Sequence, residues 1–379
     1  MQDTNVPQNR VIIVGGDHHN GLGLARIFGL NGKKITAIVV SNKKRSWMAT
    51  SKFIECSKIF RTEKEAFDYI LESFSSQPQK AVLIPYSDRA ALELDSRLNE
   101  FKENFIVPSI NNEEGRIAAM MDKKAQYTWA EQHGVKMAKT VIFNVNEDLS
   151  QITSSIDFPI ILKPVVSAQG SKFDIRICNS RSELKQSIEL LKQKKYELIL
   201  VQQYLAKRSE MLIVGAIADN YTFSVHEVIR RWPEPGGCGS FSQLVADEEV
   251  LKKCSRLLKE ISNYGYKGLI DVETFFVDGE VYLNEINWRN SGGSFRAING
   301  GFYYAFWWYM HVLTSTPLPK WNPYRKSYSM VEYADFRHVF KRNISLIQWI
   351  KDVRKTQNFS VFCKSDIKPF FSKILYTLI

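Results

Sequence analysis

Four side chains in one stretch could do chemistry together: Asp271 and Glu273 in Gly268-Leu-Ile-Asp-Val-Glu-Thr-Phe-Phe-Val277, and Glu285 and Asn287 in Val281-Tyr-Leu-Asn-Glu-Ile-Asn287. The period-two alternation predicts a β-hairpin about Asp278-Gly279, with these four on one face and Ile270, Val272, Thr274, Phe276, Tyr282 and Ile286 in the opposite register. Carboxylates held this close raise each other's pKa unless a cation sits among them. Three oxygen donors, Glu273, Glu285 and Asn287, suit Mg²⁺, which takes few protein ligands and fills its octahedron with water and phosphate oxygens. A solvent-facing hairpin carrying ordinary surface acids is the alternative.

Register constrains the turn. A two-residue turn at Asp278-Gly279 pairs Glu273 with Asn284 and puts Glu285 on the wrong face, because a one-residue slip exchanges faces. A three-residue loop, Val277-Asp278-Gly279, with Gly279 left-handed as a bulge, brings Glu273 and Glu285 to one face; it places Asp271 opposite Glu285 and Glu273 opposite Leu283.

The elements upstream must position this surface. Val11-Ile-Ile-Val14, a Gly-rich turn, an apolar-periodic helix and Ile35 to Val40 form a βαβ opening of a parallel sheet. Its turn lacks the Gly-x-Gly-x-x-Gly spacing, which points to a Rossmann-like scaffold rather than a dinucleotide site. Residues 113 to 133 read as helical. Phe158-Pro-Ile-Ile-Leu-Lys-Pro164 is an apolar strand that presents Lys163 just before a loop of small and polar residues, Val165 to Ser171. With a second strand from Phe173 to Cys178, that loop suits closure over phosphates, its N–H groups and one ammonium supplying counter-charge. Leu198 to Leu205, Glu210 to Asp219 and Tyr221 to Ile229 are further strands, and helix 247 to 264 leads into the hairpin. Arg230-Arg231 open a Pro- and Gly-rich loop, a pairing suited to carboxylate or phosphate recognition.

Bulk properties narrow the classes. The chain has 379 residues, 44 % hydrophobic and 24 % charged, which suits a soluble multidomain protein. No apolar run is long enough to span a bilayer and Met1 to Arg10 is polar, so a cytoplasmic protein without a secretory signal is expected. Five scattered cysteines without Cys-x-x-Cys spacing read as free thiols. The formal charge of +11 is concentrated at the end: residues 320 to 379 carry twelve Lys and Arg against four acids, a net +8. Such a patch attracts polyanions or an anionic membrane. Nucleic acid is not the expected partner, because the aromatic residues there follow the apolar pattern rather than interleaving with the basic ones.

In this order the pieces resemble the ATP-grasp superfamily of carboxylate-amine ligases, over about residues 11 to 315. The residues that carry the resemblance are Asp122-Lys123, Phe158-Pro-Ile-Ile-Leu-Lys-Pro164, Val201-Gln-Gln-Tyr-Leu205 followed by Glu210, and Glu273 twelve residues before Glu285-Ile-Asn-Trp-Arg289. Ile12-Ile-Val-Gly-Gly-Asp17 and the basic tail are also similar to the branch that includes D-aspartate ligase and related envelope-modifying enzymes. The resemblance implies an α/β ATP-grasp fold: a Rossmann-like domain (1–112), a lid subdomain (113–200), an antiparallel α+β catalytic subdomain (201–318) and a basic helical extension (319–379). It makes Lys123 and Lys163 phosphate ligands, with Ser167, Gln169, Gly170 and Ser171 in the lid loop. Peptide groups of Gln202, Gln203, Tyr204 and Leu205 would read adenine, and Glu210 the ribose. Glu273, Glu285 and Asn287 would hold Mg²⁺, Arg289 would steady the transferred phosphoryl group, and Arg231 with Arg230 would clamp the acceptor. Two departures from the family pattern are a lid with one glycine and Gln203 where an acid is frequent.

What this implies is an ATP-dependent ligase that joins a carboxylate and an amine through an acyl phosphate, on an amino acid and a cell-envelope peptidoglycan or polysaccharide precursor. The alternative is a non-catalytic ATP-binding regulatory scaffold. The tail has two readings. Its apolar positions Ile344, Leu346, Ile347, Trp349, Ile350 and Val353 either pack a helical cap on the catalytic domain, or dock to the inner face of an anionic membrane with a lipid-linked or otherwise anionic substrate.

Overall fold

The computed structural model describes residues 6–153, 155–165, 174–206, 208–232, 239–320 and 326–378. The expected lid residues Ser167, Gln169, Gly170 and Ser171, and Phe173 of the following strand, lie outside them.

The first sheet consists of β1 (Val11–Gly16), β2 (Ile35–Val40), β3 (Ile54–Phe60), β4 (Ala81–Pro85) and β5 (Phe105–Ile106), all parallel, in the order β3-β2-β1-β4-β5. β1 and β4 are buried on both faces, which is why they read as unbroken apolar runs. The helix His19–Leu30 follows β1 directly and buries nine of its residues against the sheet and the helix Tyr304–Thr314. The expected Rossmann-like opening is present.

β6 (Ser109–Ile110) leads to two short helices, Arg116–Met120 and Lys123–Gln132, rather than one. Asp122 divides them: its side chain accepts the Ala125 N–H at 2.9 Å and caps the second. The lid sheet follows, antiparallel in the order β7 (Thr140–Asn144), β10 (Leu198–Gln203), β8 (Ile160–Pro164), β9 (Arg176–Cys178). One face, with Ile160, Leu162, Ile199 and Val201, packs on the helix Arg181–Gln193. Ser180 caps that helix through the Glu183 N–H, while the Glu183 carboxylate reaches Asn179 N–H at 2.9 Å, one residue before the position a capping box uses.

The largest sheet runs β15 (Glu280–Asn287), β14 (Tyr266–Val277), β11 (Ser209–Ile217), β12 (Tyr221–Arg231), β13 (Gly239–Leu244), β16 (Tyr328–Met330), β17 (Thr356–Phe359), with β6 also on β14. Ile213, Val225, Ile270, Val272 and Ile286 pack on the helix Glu248–Asn263. The extension after residue 319 is therefore not wholly helical. It adds the parallel pair β16–β17 to this sheet and is tied back by a buried ion pair, Arg26 to Asp366 at 3.0 Å.

Candidate functional site

The hairpin surface forms as expected but by a different device. Asp278 and Gly279 both have left-handed φ, +48° and +79°, and make a two-residue turn in which Val277 pairs with Glu280. The pairing then slips by one residue: Thr274 faces Leu283, and Glu273 faces Glu285. Asn284 is the residue left out. The bulge is thus at Asn284, not Gly279; Glu273 stands opposite Glu285 rather than Leu283, and Asp271 opposite Asn287 rather than Glu285. All four still share one face.

Strand β15 is an edge, and it is held. The buried Gln126 accepts the Ile286 N–H at 2.8 Å and donates to the Ile286 carbonyl at 3.1 Å, and Leu283 N–H bonds the Lys136 carbonyl. Sequence reading missed Gln126, whose only signal was a polar residue on the apolar side of its helix.

Lys163 lies opposite Leu200 in the lid sheet, on the face away from the lid core. Its ammonium donates to Gln202 Oε1 at 2.8 Å and crosses to the bulged Asn284 Oδ1 at 3.1 Å, while Asn284 Nδ2 reaches Glu273 Oε2 at 3.4 Å. Burial first, then the charge of Lys123, brings the Lys163 pKa down to about 8, with Glu285 and Glu273 pulling the other way. Lys123, at the start of its capped helix, is therefore a second cation beside the same space. Glu273 has its pKa raised, by burial and then by Glu285. Two facing carboxylates with that strain and the amide of Asn287 beside them fit a divalent cation of the Mg²⁺ type. Among the described residues no cluster of three His, Cys, Asp or Glu side chains forms an alternative metal site.

On the other side, a cleft of about 680 Å³ is lined by Tyr204, Ala206, Arg208, Ser209, Glu210, Glu227, Val228, Ile229 and Arg231. Arg231 Nε donates to Glu210, and its Nη2 lies 3.8 Å from Glu273. Arg208, unremarked in the sequence, is stacked between the Tyr204 and Phe275 rings. At the hinge, the Gln203 and Tyr204 N–H groups are taken by the Lys139 and Pro159 carbonyls, and the Gln202 side chain by Lys163 and Thr140. Of the N–H donors from Gln203 to Leu205, that of Leu205 alone bonds no backbone carbonyl among the described residues.

Arg289 donates to Asp88 at 2.8 Å and Asn287 Oδ1 at 3.3 Å and lies 3.5 Å from Asp271, so it joins the acid face to the turn after β4. Arg230 is not part of this group. Alternation sends it to the opposite face from Arg231, where Asp335 at 2.8 Å and Asp352 at 2.6 Å bind it, and it anchors the C-terminal segment instead of clamping an acceptor.

A strand-borne acid pair facing a lid lysine, with a parallel sheet domain alongside, defines an ATP-grasp architecture. Residues 128–296 match the family model described as the ATP-grasp domain, so that stretch of the chain is an ATP-grasp domain. It is 27 % identical over 301 residues to a D-alanine–D-alanine ligase of Campylobacter lari, covering 69 % of this chain and 85 % of the relative. It is 24 % identical over 206 residues to a formate-dependent phosphoribosylglycinamide formyltransferase of Wolinella succinogenes, covering 52 % and 51 %. The chain thus spans about half the length of that second relative. Among solved structures, the N5-carboxyaminoimidazole synthetase of Staphylococcus aureus complexed with ADP superposes with a TM-score of 0.68 at 14 % identity, over 90 % of this chain and 88 % of that one. The L-amino acid ligase of Bacillus licheniformis gives 0.61 at 15 %, over 85 % and 79 %. At these identities the structural likeness speaks for the fold. ATP with Mg²⁺ is the nucleotide and metal that ATP-grasp ligases use.

Proposed function

We propose that this ATP-dependent ligase converts a substrate carboxylate to an acyl phosphate and joins it to an amine, and that the product is an amino acid attached to an anionic envelope precursor. The observation that carries the reading is the bridge from Lys163 through Asn284 to the Glu273–Glu285 pair, which puts a cation and a divalent-metal surface on either side of one space.

The chemistry follows from charge. A carboxylate oxygen attacks the γ-phosphorus, the β–γ bridging bond breaks, and ADP leaves. The amine then attacks the acyl carbon, phosphate departs with the C–O bond, and the amine gives up a proton. Glu273, Glu285 and Asn287 would hold Mg²⁺, which when bound screens the phosphate charge. Lys163 and Lys123 supply positive charge on the lid side, and Arg289, beside Asp271 and Asn287, would steady the transferred phosphoryl group. No protein nucleophile is required, and positioning with aimed charge accounts for catalysis. Glu210, held by Arg231, is the acceptor for ribose hydroxyls. A screen for ADP release over amino acids and candidate amine acceptors tests this reading. Nucleotide binding without ADP release from any pair favours the regulatory scaffold instead.

A surface contact with an anionic membrane belongs to the same reading. On the helix Leu346–Lys355, Trp349 packs on the Phe336 ring, but Ile347 is 69 % exposed and Leu346 51 %. Lys351, Arg354 and Lys355 lie on that helix, and Lys341 and Arg342 just before it. No helix among the described residues is long and apolar enough to cross a membrane.

A further inference from the structure

Glu210 and Glu273, the acids assigned to the ribose and to the metal, are joined in this structure by one side chain. They stand on one face of the adjacent strands β11 and β14, two residues out of register: Glu210 pairs with Phe275, and Leu212 with Glu273. Diagonal neighbours of that kind lie about 7 to 8 Å apart, too far for a shared hydrogen bond but close enough for like charges to repel. A guanidinium fills the gap. Arg231, from the next strand β12, donates through Nε to Glu210 Oε2 and holds its Nη2 3.8 Å from Glu273 Oε2. On the other side of Glu210, Arg208 Nη2 lies 3.9 Å from Oε1, and the bulged Asn284 reaches the same Glu273 oxygen at 3.4 Å.

This arrangement suits the empty site and conflicts with the filled one. A nucleotide whose ribose meets Glu210 and whose phosphates meet a cation at Glu273 must cross the span in which the guanidinium lies. A divalent cation on Glu273 also repels a positive charge 3.8 Å from the same oxygen. Arg231 has a way out. Its side chain is 36 % exposed and lines the cleft of about 680 Å³. Arg230, its neighbour, is 15 % exposed and fixed between the buried Asp335 and Asp352. Of the two adjacent arginines, one is an anchor and the other is held only by acids that the nucleotide and the metal would claim.

We propose that Arg231 is the resident counter-ion of the empty nucleotide site, and that its displacement from Glu210 and Glu273 in one movement couples ribose binding to metal binding. This rests on the ribose and metal roles given above to those two acids, and not on which carboxylate and amine are joined. Either ligand alone must move the guanidinium unaided, whereas together they move it once. The result is positive cooperativity between two groups that bind different acids.

The experiment is titration calorimetry on the full chain with ADP and with 2′,3′-dideoxy-ADP, each measured in Mg²⁺ and in a chelator. In the wild type, the hydroxyls of ADP displace Arg231 whether or not metal is present, while the dideoxy compound leaves that step to the metal. Mg²⁺ therefore strengthens ADP binding about tenfold more than it strengthens dideoxy-ADP binding, the scale of one charge-assisted hydrogen bond. In Arg231→Met, which keeps an apolar stem and loses the charge, the two gains are equal. Comparing gains cancels the general effect of removing a positive charge near phosphates, so a merely structural role for Arg231 would leave the difference in place. Equal gains in the wild type, or an inequality that survives in Arg231→Met, overturn the proposal; if that variant does not fold, the wild-type comparison decides alone. Failure of ADP release in the substrate screen sinks the ligase reading and leaves this coupling standing, while equal gains in a protein that does release ADP remove the coupling and leave the ligase.

Discussion

Glu273 stands directly opposite Glu285 because Asn284 is excluded from the β14–β15 ladder. One extra residue repairs the register that a two-residue turn would otherwise set wrong, and the same residue bridges Lys163 and Glu273. Deleting Asn284 therefore leaves Glu285 directly after Leu283, where a regular ladder still sets it opposite Glu273, and only the bridge to Lys163 is lost. Retained Mg²⁺-dependent nucleotide binding with weakened ADP release is the expected result. Asn284→Ala keeps the extra residue, loses the same bridge and should behave alike. Loss of Mg²⁺ dependence in the deletion, with Asn284→Ala retaining it in the same titration, would refute the register argument.

Replacing Lys163 tests the aimed charge. Lys163→Ala removes one cationic donor at the phosphate space and slows ADP release about a hundred- to a thousandfold with the melting curve preserved. The pH dependence carries more information. With a folded pKa of about 8, Lys163 loses its proton as pH rises through 8, and nucleotide affinity falls over that interval in the wild type. Lys163→Arg does not titrate there and abolishes the fall, read by nucleotide binding from pH 7 to 9.

Legibility in the sequence followed the range of the interactions. The parallel sheet was visible because strands buried on both faces must be apolar. The shared face of Glu273 and Glu285 was legible as a requirement, but the bulge was not, since a slip at Gly279 and one at Asn284 satisfy the same alternation. Arg230 was readable and misread: neighbours on a strand face opposite ways, so it and Arg231 could not both enter the cleft. Its partners Asp335 and Asp352 lie more than a hundred residues on, beyond any local pattern. For the same reason β16 and β17, three and four residues long, were invisible before they paired.

The acid pair also sets a stability dependence. Glu273 has a folded pKa above its ordinary value because burial and Glu285 disfavour its charge. The folded state thus binds this proton more tightly than the unfolded one, and stability falls as pH rises from the ordinary glutamate range through the raised value. Thermal melts of the metal-free protein should show that decline, Glu273→Gln should flatten it, and added Mg²⁺ should reverse it at neutral pH. A wild-type melt independent of both pH and Mg²⁺ would count against the site.

The buried pair Arg26–Asp366 makes the tail part of the folded body. Both side chains are essentially inaccessible, and the guanidinium also bonds the Ser360, Val361 and Asp366 carbonyls. Arg26→Ala leaves Asp366 charged and uncompensated, a change that costs about 3 to 5 kcal/mol in such settings. The melting transition should fall clearly; an unchanged transition would mean that the tail contributes little to the fold.

That tie decides how membrane contact must be tested. Removing residues 340 to 379 would take Asp352 from Arg230 and Asp366 from Arg26, so lost sedimentation could mean lost folding. Point changes on the exposed side of the helix Leu346–Lys355 avoid this, since Ile347 and Leu346 contribute little to the core. Ile347→Glu both removes an inserting side chain and adds a charge that an anionic surface repels, while Lys351→Gln and Arg354→Gln each remove about 1 kcal/mol of attraction. The expected outcome is sedimentation of the wild type with phosphatidylserine-containing vesicles, lost in Ile347→Glu and reduced in the charge variants and at high salt, with ADP release on soluble substrates unchanged. Wild-type protein that stays in the supernatant, or an Ile347→Glu variant that sediments equally, returns this surface to ordinary solvent-exposed helix.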